Sequence, residues 1–135
     1  MVTGAGPSAR IMVIDDDPAL LGFTSKYLSR LGYSVVPYRS AEEAWKHFAL
    51  PTANYSLVVI DLSLPGMSGE QLSRMMLGVN PEIRLILTSG YPFDTERLLD
   101  AGPGRMAFLH KPFTPAMLAE TVERLLRAGP KRDAD

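Results

Sequence analysis

The sequence contains no cysteine among its 135 residues, and that absence excludes disulfides, thiolate nucleophiles and thiolate metal sites together. Long apolar runs are missing too; none approaches the length needed to span a bilayer. Met1–Ser8 lacks the charged start and apolar middle of a signal peptide, so the expected location is the cytoplasm. Net charge is close to nil, −1 from 14 basic and 15 acidic side chains. The signs are mixed along the chain, which leaves no basic stripe to track nucleic-acid phosphates. Histidine is scarce: His47 and His110 have no partners at metal-ligand spacing, so both read as surface or packing residues. What is present is ordinary for one globular domain, with 46% hydrophobic and 21% charged residues and enough length to bury a real core.

One stretch departs from that ordinary background. "RIMVIDDDPALL", Arg10 to Leu21, sets Asp15, Asp16 and Asp17 directly after an apolar run. Like charges repel, and the end of a buried strand is a costly place for them. Asp17 has a local explanation as a helix N-cap, with Pro18 at the first helical position. Asp15 and Asp16 have none.

The rest of the chain supplies their setting. Arg10–Ile14 reads as a strand, followed by a helix with Leu20, Leu21, Tyr27, Leu28 and Leu31 at helical spacing and Gly32 as its stop. "YSVVPY" is strand-like, and Pro37 assigns it to a sheet edge or strand end. Ser40 and Glu43 form a capping-box pattern for a helix that Pro51 closes. Leu57–Ile60 is a continuous apolar strand ending in Asp61, with a loop rich in turn residues (Pro65, Gly66, Gly69) and a helix over Glu70–Leu77 after it. "EIRLILTSGY" is a strand ending in Thr88 and Ser89, and Asp94–Asp100 reads as a helix before Gly102, Pro103 and Gly104. "RMAFLHKPF" is a fifth strand ending near Lys111, and Thr114 and Pro115 open a last amphipathic helix. Trp45, Met67, Met75 and Met76 read as packing residues. Gly4–Gly6 precede the first strand and so form no phosphate loop.

Strand and helix alternate five times. Short connections force each helix to cross back over the sheet, giving parallel strands, right-handed crossovers and helices on both faces. The expected fold is a three-layer, doubly wound (βα)5 α/β domain, flavodoxin-like, whose ligands bind beyond the carboxyl ends of the strands. Asp15, Asp16, Asp61, Thr88 and Lys111 all end strands at that edge. Clustered aspartates without His or Cys make an oxygen-only site suited to Mg²⁺. A cation, a lysine and a hydroxyl converging on one carboxylate describe phosphoryl transfer, with Asp61 as nucleophile, Lys111 neutralising charge and Thr88 donating a hydrogen bond.

With those residues in place, the chain resembles a response-regulator receiver domain over about Arg10–Arg127, through "VIDDD", "VVIDLSLPGMSG", "LILTSGY" and "FLHKPF" in order. The resemblance implies a sheet order of 2-1-3-4-5. It implies that Asp61 accepts phosphate from a histidine kinase or histidine phosphotransfer protein. The Mg²⁺ ligands would be Asp15, Asp16, Asp61 and the Ser63 backbone carbonyl. Thr88 and Phe108 would form the switch, and Pro112 would follow a cis bond. A downstream protein would read the surface of the fourth helix, fifth strand and fifth helix, with no direct nucleic-acid binding and no membrane insertion. Such a domain assists its own phosphorylation and dephosphorylation rather than acting on a separate substrate. Gly90 and the proline within "AGPGRMAF" depart from the usual pattern, and "LTSGYP" with "KPFTP" is similar to receivers of hybrid sensor kinases.

The expected boundaries are an N-terminal tail over 1–9, a receiver over 10–128 and a polar tail over 129–135. A free-standing receiver and a piece of a larger regulator or hybrid kinase both stay open. Two other functions compete. A haloacid-dehalogenase-like phosphatase would use Asp15 and Asp17, but it needs a further acidic pair after the lysine and leaves Asp61 idle. A receiver-fold binding module that works without phosphate would not need the five-residue set.

Overall fold

Five apolar runs become five parallel strands, and the described amphipathic stretches beside them become helices. The structure is a computed structural model and describes residues 9–92 and 105–128. Its elements are β1 (Arg10–Ile14), α1 (Pro18–Arg30), β2 (Ser34–Tyr38), α2 (Ala41–Phe48), β3 (Leu57–Asp61), α3 (Gly69–Val79), β4 (Arg84–Ser89), β5 (Met106–His110) and α4 (Pro115–Ala128). The strands pair in the order β2-β1-β3-β4-β5, the order that the resemblance implied. The helix expected over Asp94–Asp100 falls outside the described residues.

The side-chain period of two divides each strand between two cores. Met12, Ile14, Val58, Ile60, Leu85 and Leu87 face α2 and α3, where Ala44, Phe48, Leu72 and Met76 meet them. Ile11, Val13, Leu57, Val59 and Ile86 face α1 and α4, against Leu21, Leu28, Leu118 and Val122. Every residue of β3 is buried, which explains its unbroken apolar sequence. Each fully buried Leu or Ile contributes roughly 1.5–3 kcal/mol. These two cores fix the height at which the strands end, and hence the site.

Short polar side chains start each helix. Asp17 Oδ1 accepts from the N–H groups of Ala19 (3.0 Å) and Leu20 (3.3 Å). Ser40 Oγ accepts from Glu43 N–H, Ser68 Oγ from Gln71 N–H and Thr114 Oγ1 from Met117 N–H. Asp17→Ala should therefore cost about 0.5–2 kcal/mol, measured by denaturant unfolding.

Some expected boundaries shift. Leu31 does not join the apolar face of α1. The helix ends at Arg30, and Leu31 is its C-cap, 48% exposed, ahead of Gly32 at φ 102°. The helix α2 stops at Phe48, with Ala49 as its cap, before Pro51 is reached. The helix α3 begins at Gly69 and runs on through Gly78 to Val79, stopping ahead of Pro81. At the β2 edge, Ser34 N–H donates to Ala9 and Asp15 N–H donates to Tyr38. Alternate residues 34, 36 and 38 thus point their backbone groups at β1. Pro37 lies out of phase with them, so its missing N–H falls on the open side and the ladder loses nothing.

Candidate functional site

The strands β1 and β3 run side by side, with Ile14 level with Ile60, so the residues that follow each strand emerge together. Asp15, Asp16 and Asp61 bring one carboxylate oxygen each within 4.8 Å of one another. Asp15 and Asp61 are buried, while Asp16 is exposed. Lys111, following β5, reaches across β4 to bridge the two buried acids. Its Nζ lies 3.2 Å from Asp15 Oδ2 and 3.1 Å from Asp61 Oδ2. The Lys111–Pro112 peptide bond is cis. The lysine's course is also fixed by its own N–H, which donates to Ser89 O at 2.9 Å.

Thr88 sits on β4 level with Asp61 and is buried. Its carbonyl accepts from Leu62 N–H at 2.8 Å, tying the start of the loop to β4. Phe108 is level with Leu87, one register step earlier, and packs half-buried against the α2–α3 core. Asp17 stays out of the cluster, since its carboxylate caps α1. That geometry removes the Asp15–Asp17 pair on which the phosphatase reading depends.

Ser63 does more than its backbone carbonyl suggests. Asp61 Oδ1 accepts from both Ser63 N–H (2.9 Å) and Ser63 Oγ (2.7 Å), a local turn that short polar side chains favour. A Ser two residues after a strand-end Asp carries that signal in sequence. The start of α3 also presses on Asp61 from behind. A Cβ on Gly69 would lie 2.6 Å from the Asp61 carbonyl oxygen and 2.8 Å from Leu62 Cα, so only glycine fits there.

The two buried acids differ electrostatically. Burial opposes ionisation of Asp61, but the Ser63 N–H and hydroxyl together with Lys111 outweigh it and hold the carboxyl below its ordinary range. At Asp15 burial wins. The donations from Asp17 N–H and Lys111 only partly offset it, and the neighbouring Asp61 charge adds to it, so its pKa is raised. Burial of Lys111 is overcome by its two carboxylate partners, which raise its pKa. One ammonium against three carboxylates leaves excess negative charge aimed at one point. Oxygen-only donors of that kind fit a hard divalent cation such as Mg²⁺.

The family described as "Response regulator receiver domain" matches residues 11–123. The transcriptional regulatory protein AruR of Pseudomonas aeruginosa is 32% identical over 139 residues, covering 93% of this chain and 55% of AruR. A CheY-like receiver domain protein from Methanospirillum hungatei JF-1 superposes with a TM-score of 0.79 at 29% identity, covering 88% of this chain and 94% of that one. The response regulator TrrA of Thermotoga maritima, solved in complex with Mg²⁺-BeF, does so at 0.76 and 28%, covering 87% and 98%. The chain spans about half the length of the curated relatives it matches.

Proposed function

Because this chain belongs to the response regulator receiver family, we propose that it is the phospho-accepting switch of a two-component phosphorelay, with Asp61 as acceptor. The observation that carries this reading is the bridging of Asp61 and Asp15 by Lys111 beside a third carboxylate, Asp16. An Asp61 oxygen attacks phosphorus, a P–O bond forms, and the P–N bond to the donor histidine breaks as the imidazole takes a proton. The depressed pKa keeps Asp61 ionised and nucleophilic at neutral pH. Lys111 faces the oxygens on which charge collects. Asp15, Asp16, Asp61 and the Ser63 carbonyl would hold Mg²⁺, which supplies counter-charge to the phosphoryl oxygens when bound. Its donor would be a histidine kinase or phosphotransfer protein in the cytoplasm; among the described residues no helix is long and apolar enough to cross a membrane.

The test is direct. Acetyl phosphate with Mg²⁺ should add one acid-stable, hydroxylamine-labile phosphoryl group per chain, counted by mass spectrometry. No uptake at any Mg²⁺ concentration would overturn the reading.

In the same reading, phosphate at Asp61 draws the Thr88 hydroxyl into a charge-assisted hydrogen bond. Phe108 then repacks and alters the surface around β5 and α4 that a downstream protein reads. Thr88→Ala should leave Asp61 able to accept phosphate while disconnecting Phe108. Phe108 side-chain NMR signals with and without beryllofluoride check this. The same response in wild type and variant would remove Thr88 as the coupler.

A further inference from the structure

The loop from Leu62 to Ser68 is tied down from an unexpected side. Glu42, in the first turn of α2, turns its carboxylate outward across the loop, and its Oε2 accepts from Met67 N–H at 3.1 Å. The carboxylate lies directly over Gly66, where a Cβ would come within 2.9 Å of Oε2. Gly66 also adopts φ +73°, a conformation open to glycine without strain. Sequence and backbone at Gly66 therefore leave room for this one contact. The Met67 side chain packs on the α2–α3 core, so the latched residue is anchored on its other side. Hydrogen bonds from the Met67 N–H and from its own N–H hold the Glu42 carboxyl below its ordinary range, so the acceptor is charged at neutral pH. At the far end of the loop, Ser63 donates twice to Asp61.

We propose that Glu42 is a positioning residue that sets the course of the Leu62–Ser68 loop and thereby the affinity of the carboxylate site for Mg²⁺. This rests on the reading of Asp61 as a metal-dependent phosphoacceptor. Glu42 touches no ligand of the site. It acts through Met67 and Gly66, which define how the loop returns to α3, while Ser63 defines how it leaves β3. Loss of one tie lets the Ser63 carbonyl drift from its partners without altering any carboxylate.

Four proteins separate the possibilities: wild type, Glu42→Ala, Glu42→Gln and Glu43→Ala, the last altering a neighbour that does not reach the loop. Two quantities are read on each: the Mg²⁺ concentration for half-maximal labelling by acetyl phosphate, and the hydrogen-exchange rate of the Met67 amide. Glu42→Ala should raise the first about tenfold, the lower end of the loss typical when support behind metal ligands is removed. Labelling at saturating Mg²⁺ should stay near wild type, and Met67 exchange should quicken. Glutamine keeps an acceptor oxygen at the same reach and should restore both, while Glu43→Ala should change neither. Faster Met67 exchange with unaltered Mg²⁺ dependence would overturn the proposal, as would equal impairment in Glu42→Ala and Glu42→Gln. If wild type took up no phosphate, the phosphoacceptor reading would fall instead. The latch would then be decided by Mg²⁺ titration of the Ser63 and Leu64 amide signals, where an Ala variant matching wild type refutes it.

Discussion

Asp61→Asn should take up no phosphate from acetyl phosphate and Mg²⁺ under conditions that label wild type at one group per chain. The substitution conserves shape, and the amide oxygen can still accept from Ser63 N–H and Oγ, which now meet Oδ1 at 2.9 and 2.7 Å. What disappears is the anionic oxygen facing Lys111 at 3.1 Å. An amide is not a nucleophile toward phosphorus, so no slow residual reaction should remain at this position. Asp15 and Asp16 stand within reach of the same donor, which makes the experiment discriminating. Asp15 is spent on Asp17 N–H and Lys111, and its raised pKa makes it the poorer anion. Full stoichiometric labelling of the variant would move the acceptor away from Asp61.

Removing the ammonium should be nearly as damaging, through both chemistry and folding. Lys111→Met keeps the length of the side chain and takes away the cation that, among the described residues, bridges the two buried carboxylates. Loss of a positioned charge-stabilising donor typically lowers a rate about 10²–10³-fold, and labelling by acetyl phosphate should slow on that scale. Breaking a fully buried ion pair from one side costs about 3–5 kcal/mol. Lys111 retains 23% side-chain exposure, so water screens part of the loss and about 2 kcal/mol is expected.

The sign with pH follows from the two acids. Asp61, with its depressed pKa, contributes stability above the ordinary carboxylate range, and that contribution is lost as pH falls through its folded value. It leans on Lys111, so the variant's deficit should be largest at neutral pH and shrink in acid. Asp15, with its raised pKa, opposes folding when ionised and ceases to do so as it is protonated, which shifts the difference the same way. Millimolar Mg²⁺ should recover part of the deficit by restoring counter-charge. Denaturant unfolding from pH 8 down through the ordinary carboxylate range to about pH 2.5 reads all of this. A variant as stable as wild type throughout, and labelled at the same rate, would remove Lys111 from the site.

Much of this was legible in the sequence because its signals are local. An apolar run that ends in Asp, Thr or Lys states both the strand and the end at which chemistry sits, so Asp15, Asp16, Asp61, Thr88 and Lys111 could be placed on one edge before any coordinates. Asp17 followed by Pro18 announced a cap for the same reason. The misses have different causes, one in a contact between distant segments and the others in local detail. Nothing near Glu42 in sequence points to Met67, 25 residues away, and periodicity alone cannot tell that Leu31 lies one position past the end of its helix. The side-chain role of Ser63 is local and readable in its place two residues after Asp61.

The orientation of Pro37 bears on how the molecule behaves when crowded. An edge strand exposes a row of backbone donors and acceptors on which another chain can align and add as an extra strand, a route to aggregation. On the open side of β2 the donors would come from Val35 and residue 37, and residue 37 has none to give. A would-be guest strand therefore meets a missing rung in the middle of a five-residue edge. The proline costs the sheet nothing internally and guards this border against edge-to-edge growth.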